Sequence, residues 1–148
     1  MRKNFVVSKQ SDIEGFSSFK CSLCSEEFKL KTSEVQDDDV LEMFCPNCGI
    51  PSPISSYYTD DILEHAKTLV MNEAMDMLND MFKGLEKSTR RNKNVTFKRG
   101  KSLPSKQPRS LYENDDLEQI EFVCCDRKAK LSLLSKTIKP FCPYCGVN

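Results

Sequence analysis

The residues of this chain best suited to chemistry are its eight cysteines, which fall into two groups. The first reads Cys21-Ser-Leu-Cys24, then twenty residues, then Cys45-Pro-Asn-Cys48-Gly49. The second reads Cys124-Cys125, then sixteen residues, then Cys142-Pro-Tyr-Cys145-Gly146. Two thiolates three residues apart can hold one ion when the chain between them turns tightly, because the N–H groups inside the turn then point at the sulfurs. Proline between the pair sets such a turn, and glycine after it permits positive φ. Two turns supply four sulfurs to a tetrahedron, and the first group has the spacing of a structural zinc site. The second departs from it. The residue three after Cys124 is Arg127, which cannot bind a metal. Cys125 is adjacent instead, and neighbours on a strand point to opposite faces. A bulge could bring both sulfurs to one ion. Asp126 could supply an oxygen in place of one sulfur, or the site could be a metal-free relic. Cys125 ranks above Asp126 as fourth ligand, because thiolate is the commoner structural donor.

Both halves contain the phrase Phe-Cys-Pro-X-Cys-Gly, at Phe44 to Gly49 and Phe141 to Gly146, and a Phe (Phe19, Phe122) stands two residues before each first pair. This internal repeat predicts two similar modules. The turns resemble those of the zinc-ribbon group, whose rubredoxin-like knuckles carry Cys-Pro-X-Cys-Gly. The resemblance implies a small β-hairpin sheet around each ion, with Cys21, Cys24, Cys45 and Cys48 as ligands and Pro46 and Gly49 as turn formers. Rubredoxins themselves hold iron. Ser25 follows Cys24 where they carry glycine, so zinc is the expected metal, two ions in all, the second held by Cys124, Cys125, Cys142 and Cys145. The motif specifies a metal fold and says little of biological role.

The elements that must position these cysteines are modest. The chain has 148 residues, 39% of them hydrophobic, and no Trp. Its mean hydropathy is −0.51. Modules this small need a staple. The expected fold class is therefore a small metal-stapled α+β protein. It has a zinc ribbon at 14–55, an amphipathic helix at 59–86, a flexible basic linker at 87–111 and a degenerate second ribbon at 112–148. Asp60 and Asp61 open the helix, Asp61 with Glu64 resembling a capping box. Apolar residues recur at Ile62, Ala66, Leu69, Val70, Met77, Leu78, Met81 and Leu85 with helical spacing. Gly84 is the expected stop. Such a rod is too long for one ribbon to cover, so its stripe must meet both modules or another chain. Met71, Met75, Met77 and Met81 suit a core, a dimer seam or an adaptable partner groove. Leu117 to Cys125 and Ala129 to Ile138 read as strands of the second module.

Net charge is zero, but residues 87–109 hold nine basic and no acidic side chains. That stretch has too few apolar residues to order itself. Arg90, Arg91, Lys93, Lys98, Arg99 and Lys101, with Phe97 among them, are candidates for binding nucleic acid, since bases of a single strand can stack on an exposed aromatic ring. The acidic first half argues against plain duplex binding. No nucleophile, base and oxyanion donor come together, and His65, the lone histidine, lies in the helix without a partner, so no enzyme is expected. Asp37-Asp38-Asp39 reads as a solvated hairpin tip. No apolar run is long enough to span a membrane, and Phe5-Val6-Val7 is too short for a secretory signal. The expectation is an intracellular, cytoplasmic protein with reduced cysteines. Its expected role is a non-catalytic interaction adaptor with a protein partner. Self-association through the helix is a further option, and nucleic-acid binding is the alternative function.

Overall fold

A computed structural model describes residues 3–148. The chain divides into two compact units. One comprises Ser8–Ile62 and Leu111–Asn148, and the other comprises Leu63–Ser110 with the residues up to Val7. The division sorts the charge. The first of these units holds 9 basic and 17 acidic side chains, the second 13 basic and 5 acidic.

The acidic unit contains both cysteine groups. Its strands are β1 (Phe16–Lys20), β2 (Glu27–Lys31), β3 (Glu42–Phe44), β4 (Pro51–Pro53), β5 (Glu118–Phe122) and β6 (Arg127–Leu131). α1 (Thr32–Val35) follows β2, and α3 (Leu133–Thr137) follows β6. Two sequence expectations change here. The two halves do not build separate modules: their hairpins share one antiparallel sheet in the order β1-β2-β6-β5. The second expected stretch of strand stops at Leu131, because Ser132 caps a short helix, its side chain accepting from the Ser135 N–H.

Alternation explains the sheet's two faces. Phe28 and Leu30 of β2 and Ala129 and Leu131 of β6 are fully buried, packed with Met43, Tyr57 and the buried cysteines. The Tyr57 hydroxyl donates to the Met43 carbonyl (2.9 Å), with the Ile50 carbonyl at 3.1 Å. On the other face Lys29 stands directly opposite Lys130 across the β2–β6 seam. Like charges so placed repel. Acids from two distant segments offset this. Asp12 lies 2.9 Å from the Lys130 ammonium and 3.7 Å from that of Lys29. Glu113 lies 3.7 Å from Lys29 and 3.1 Å from Lys9. Glu14 and Asp115 add contacts to Lys130 at 2.7 and 3.0 Å. Glu113 also accepts the Ser18 N–H at 3.1 Å, so it closes part of the β1 edge.

The basic unit is organised on α2 (Asp60–Thr89), thirty residues long and starting in the acidic unit. Asp61 accepts the Ile62 N–H at 2.9 Å at its start. The expected stop at Gly84 does not occur; the helix runs on to Thr89, since one glycine costs only about 1 kcal/mol against alanine. No residue of α2 is buried. The following basic segment is not a free linker. Its main chain is bonded to helix side chains, and Phe97 packs on Phe82 with ring centroids 6.2 Å apart. The helix supplies the order that the segment's own composition lacks.

Candidate metal centres

The first centre is assembled by two turns. The β1–β2 connection carries Cys21 and Cys24 in six residues. The Cys21 N–H donates to the Glu26 carbonyl (2.9 Å), and the Ser25 N–H donates to the Cys21 carbonyl (3.0 Å). Ser25 takes φ +63°, the place where glycine would be easier. After β3, Cys45 and Cys48 sit in a turn closed by the Gly49 N–H on the Cys45 carbonyl at 2.8 Å. The Sγ–Sγ distances are 3.8 Å for Cys21–Cys48 and 3.4 Å for Cys24–Cys45.

The second centre repeats this with a shorter first turn. Only four residues separate β5 from β6. In place of Cys-x-x-Cys it carries the adjacent residues Cys124 and Cys125, whose sulfurs are brought together by the turn itself rather than by a strand bulge. Asp126 at φ +53° takes the place that Ser25 has in the first turn. The return turn matches its counterpart: the Gly146 N–H donates to the Cys142 carbonyl and the Cys142 N–H to the Val147 carbonyl, both at 2.8 Å. The sulfurs of Cys124, Cys125, Cys142 and Cys145 lie within 4.8 Å of one another, as do those of the first centre. Cys125, not Asp126, is the fourth member.

The two return turns hold each other. The Phe44 N–H donates to the Pro143 carbonyl (2.8 Å), and the Phe141 N–H donates to the Pro46 carbonyl (2.9 Å). The Phe141 ring covers Gly49, where an added Cβ would lie 3.0 Å from it. The Phe44 ring covers Gly146, where the same distance is 2.7 Å. With the β2–β6 seam, these contacts relate the two halves as an internal pair.

Burial governs the titration of most of these thiols. Burial pushes the Cys45 and Cys142 thiols far above the usual range, so neither ionises without a positive partner. Burial also raises Cys125 to about 11. At Cys24 burial acts upward, but the Glu26 N–H and the Asn47 side chain outweigh it and bring the thiol down to about 7. All eight cysteines are free, and sulfurs at 3.4–3.8 Å are well beyond a disulfide's roughly 2.05 Å. Each group could therefore hold one metal ion with thiolate donors.

Beside the second centre, Arg127 lies over the Tyr144 ring at 4.6 Å and reaches Asp37 and Asp39 at 3.5 and 3.8 Å. The acid run thus meets a guanidinium rather than water alone. A cavity of about 430 Å³, lined in part by Val40, Leu41, Phe44, Arg127 and Tyr144, opens at Cys125. Of the basic candidates, Arg90, Arg91, Lys93, Lys98 and Lys101 are exposed and Arg99 is half-buried. Phe97 faces Phe82 and is not free for stacking. His65 is half-buried, its Nδ1 2.9 Å from the Arg109 carbonyl. Sequence reasoning missed Lys29, Lys130, Asn72 and Asn79. For the asparagines a signal existed in their seven-residue spacing; for the lysines there was none, because their partners come from remote segments.

No protein-family model, curated protein or solved structure matches this chain. No helix among the described residues is long and apolar enough to cross a membrane.

Proposed function

We propose that the protein is a zinc-stapled adaptor. Two zinc ions hold two ribbon-like knuckles, and the exposed stripe of α2 binds a protein partner. Zinc is supported by the all-sulfur donor sets. A tetrahedron with Zn–S near 2.3 Å has edges of about 3.8 Å, close to the sulfur spacings of 3.4–3.8 Å. Zinc would supply charge and cross-linking there, with no redox chemistry. Thiolate sites of this kind suit a reducing, intracellular compartment.

The observation that carries the adaptor reading is the stripe itself. Val70, Met71, Met77 and Met81 are each about half exposed on a thirty-residue helix that buries nothing. Glu64, Asp76 and Asp80 lie along its flanks against Lys67 and Lys83. The occupant that fits is an apolar groove with a basic rim, receiving the helix by the i, i+7, i+11 anchors Val70, Met77 and Met81. The test compares proteins recovered with the full-length wild type and with a Val70→Ser, Met77→Ser, Met81→Ser variant. A recovered partner should bind the purified wild type directly and lose that binding in the variant, while zinc stays at two per chain. Equal binding by both would overturn the reading.

A further inference from the structure

The basic segment after α2 runs back along the helix in a fixed register. The Asn79 side chain accepts the Leu103 N–H (2.9 Å) and donates to the Leu103 carbonyl (3.1 Å). Asn72 does the same to Lys106, at 2.8 and 2.6 Å. His65 completes the series at the Arg109 carbonyl. Each asparagine amide thus imitates a strand neighbour. Helix positions 65, 72 and 79 recur every seven residues, about 10.5 Å of rise. Strap positions 103, 106 and 109 recur every three, about 10 Å of extended chain. The two repeats are commensurate, and that match sets the register. Pro104 and Pro108 reinforce it, because each fixes its own φ and biases the residue before it toward extended backbone.

The strap's inner side is spent on the helix: Leu103 is half-buried and Phe97 sits on Phe82. Along it Lys98, Lys101, Lys106 and Arg109 are all exposed. The six extended steps from Leu103 to Arg109 span roughly 20 Å, and Lys98 and Lys101 continue the array round a bend at Lys101. The result is a line of cations on a main chain that is already ordered.

We propose that this strap is a binding site for the phosphodiester backbone of nucleic acid, a function beyond the protein-binding stripe. A linear cation array suits a linear polyanion. A membrane surface would want exposed apolar side chains beside the cations, whereas the strap's Phe97 and Leu103 point to the helix. With Phe97 occupied, no aromatic side chain of the strap is available to stack on bases, so contacts go to phosphates and carry no sequence preference. The strap lies on the asparagine side of α2, about two residues round the helix from Val70 and Met77, so its occupancy is independent of the apolar stripe.

The test is fluorescence anisotropy of full-length, zinc-loaded protein with a labelled 20-nucleotide single strand of mixed sequence. Four phosphate contacts give a slope of log K against log salt near −2.8, about a 50-fold loss between 50 and 200 mM salt. Changing Lys98, Lys101, Lys106 and Arg109 to Ser should abolish that binding. Changing Asn72 and Asn79 to Ala keeps every strap charge but frees the main chain, and should weaken binding roughly tenfold with little change in slope, because ordering is then required on binding. Zinc content and helicity should be unchanged in both variants. Absence of salt-dependent binding would overturn the proposal. So would equal binding by the asparagine variant, displacement of the probe by polyglutamate as readily as by oligonucleotide, or tighter binding to anionic vesicles than to the strand.

Discussion

In the first cysteine centre Cys21 and Cys45 are buried and Cys24 and Cys48 half-buried; in the second only Cys142 is buried, while Cys124 and Cys145 face solvent. The same return turn serves both, down to the glycine at positive φ. Part of the difference comes from the other turn. Six residues after β1 let Cys21 lie back under the sheet, whereas four residues after β5 leave Cys124 exposed and Cys125 half-buried. Two residues fewer leave a four-sulfur group possible but less covered. Ligands open to water and chelator exchange faster, so a metal ion in the first centre would be held more firmly than one in the second.

Removing a sulfur from the buried centre should have the largest effect. Cys45→Ser leaves three ligands around an ion whose binding contributes on the order of 10–16 kcal/mol in structural zinc sites. That exceeds the stability of an ordinary domain. Both hairpins share a sheet and both return turns share hydrogen bonds, so the loss should reach the second half as well. Amide dispersion should collapse for β5 and β6 as well as β1 and β2, and bound metal should fall below one per chain. Retained dispersion in β5 and β6 would mean that the two halves fold independently.

Cys145→Ser should do less. Its ligand is exposed, and the core residues beneath the sheet do not depend on it. One metal should remain, and β1 and β2 should keep their exchange protection. In the wild type, graded chelator should empty the second centre first, read as two separate steps of metal release. A single step of two metals would indicate that coupling through the return turns outweighs the difference in exposure.

How far these features were legible in the sequence depends on distance along the chain. The two four-cysteine clusters were readable, with Cys125 and not Asp126 gathered to the second, because cysteine spacing is local. α2 was readable from its period, apart from its end, because Gly84 alone is too weak a signal to stop a helix that runs on to Thr89. The shared sheet was not. Its seam places Lys29 against Lys130, a pair that local rules disfavour, and Asp12, Glu14, Glu113 and Asp115 from remote segments make it tolerable. The ordered strap was missed for a similar reason: composition describes what a segment can bury by itself, and this one is held by amides borrowed from the helix.

That ionic cluster gives the next prediction. Burial pushes the Asp12 carboxyl upward, but Lys130 and the Phe16 and Glu14 N–H groups outweigh it, and the group is held below the usual carboxylate range. A carboxyl lowered in the folded state contributes stability that is fully present above its unfolded value, about 3.9, and is lost as pH falls through the folded value. Asp12→Asn should therefore cost about 1.5–3 kcal/mol at pH 7, the range for a hydrogen bond to a charged group. The gap between wild type and variant in urea midpoint should be the same at pH 7 and pH 5. A gap already closed at pH 5 would show that Asp12 does not carry the seam's compensation.

The finest test sets the two return turns against each other. Gly49 and Gly146 have φ of +69° and +73°, so alanine at either place meets the same backbone strain, about 1–2 kcal/mol. What differs is the ring above. An added Cβ would lie 3.0 Å from the Phe141 ring at Gly49 but 2.7 Å from the Phe44 ring at Gly146. Phe44 is also the less free of the two rings, since it ends β3, paired with Pro51. Gly146→Ala should thus be the costlier change by up to about 1 kcal/mol, measured as urea midpoints of fully metal-loaded protein. Its strain falls on Phe44, next to Cys45, so it should also quicken metal loss from the first centre, although Gly146 itself belongs to the second. Equal costs, with release quickened only at the second centre, would mean that each ring gives way locally and that the return turns touch without transmitting load.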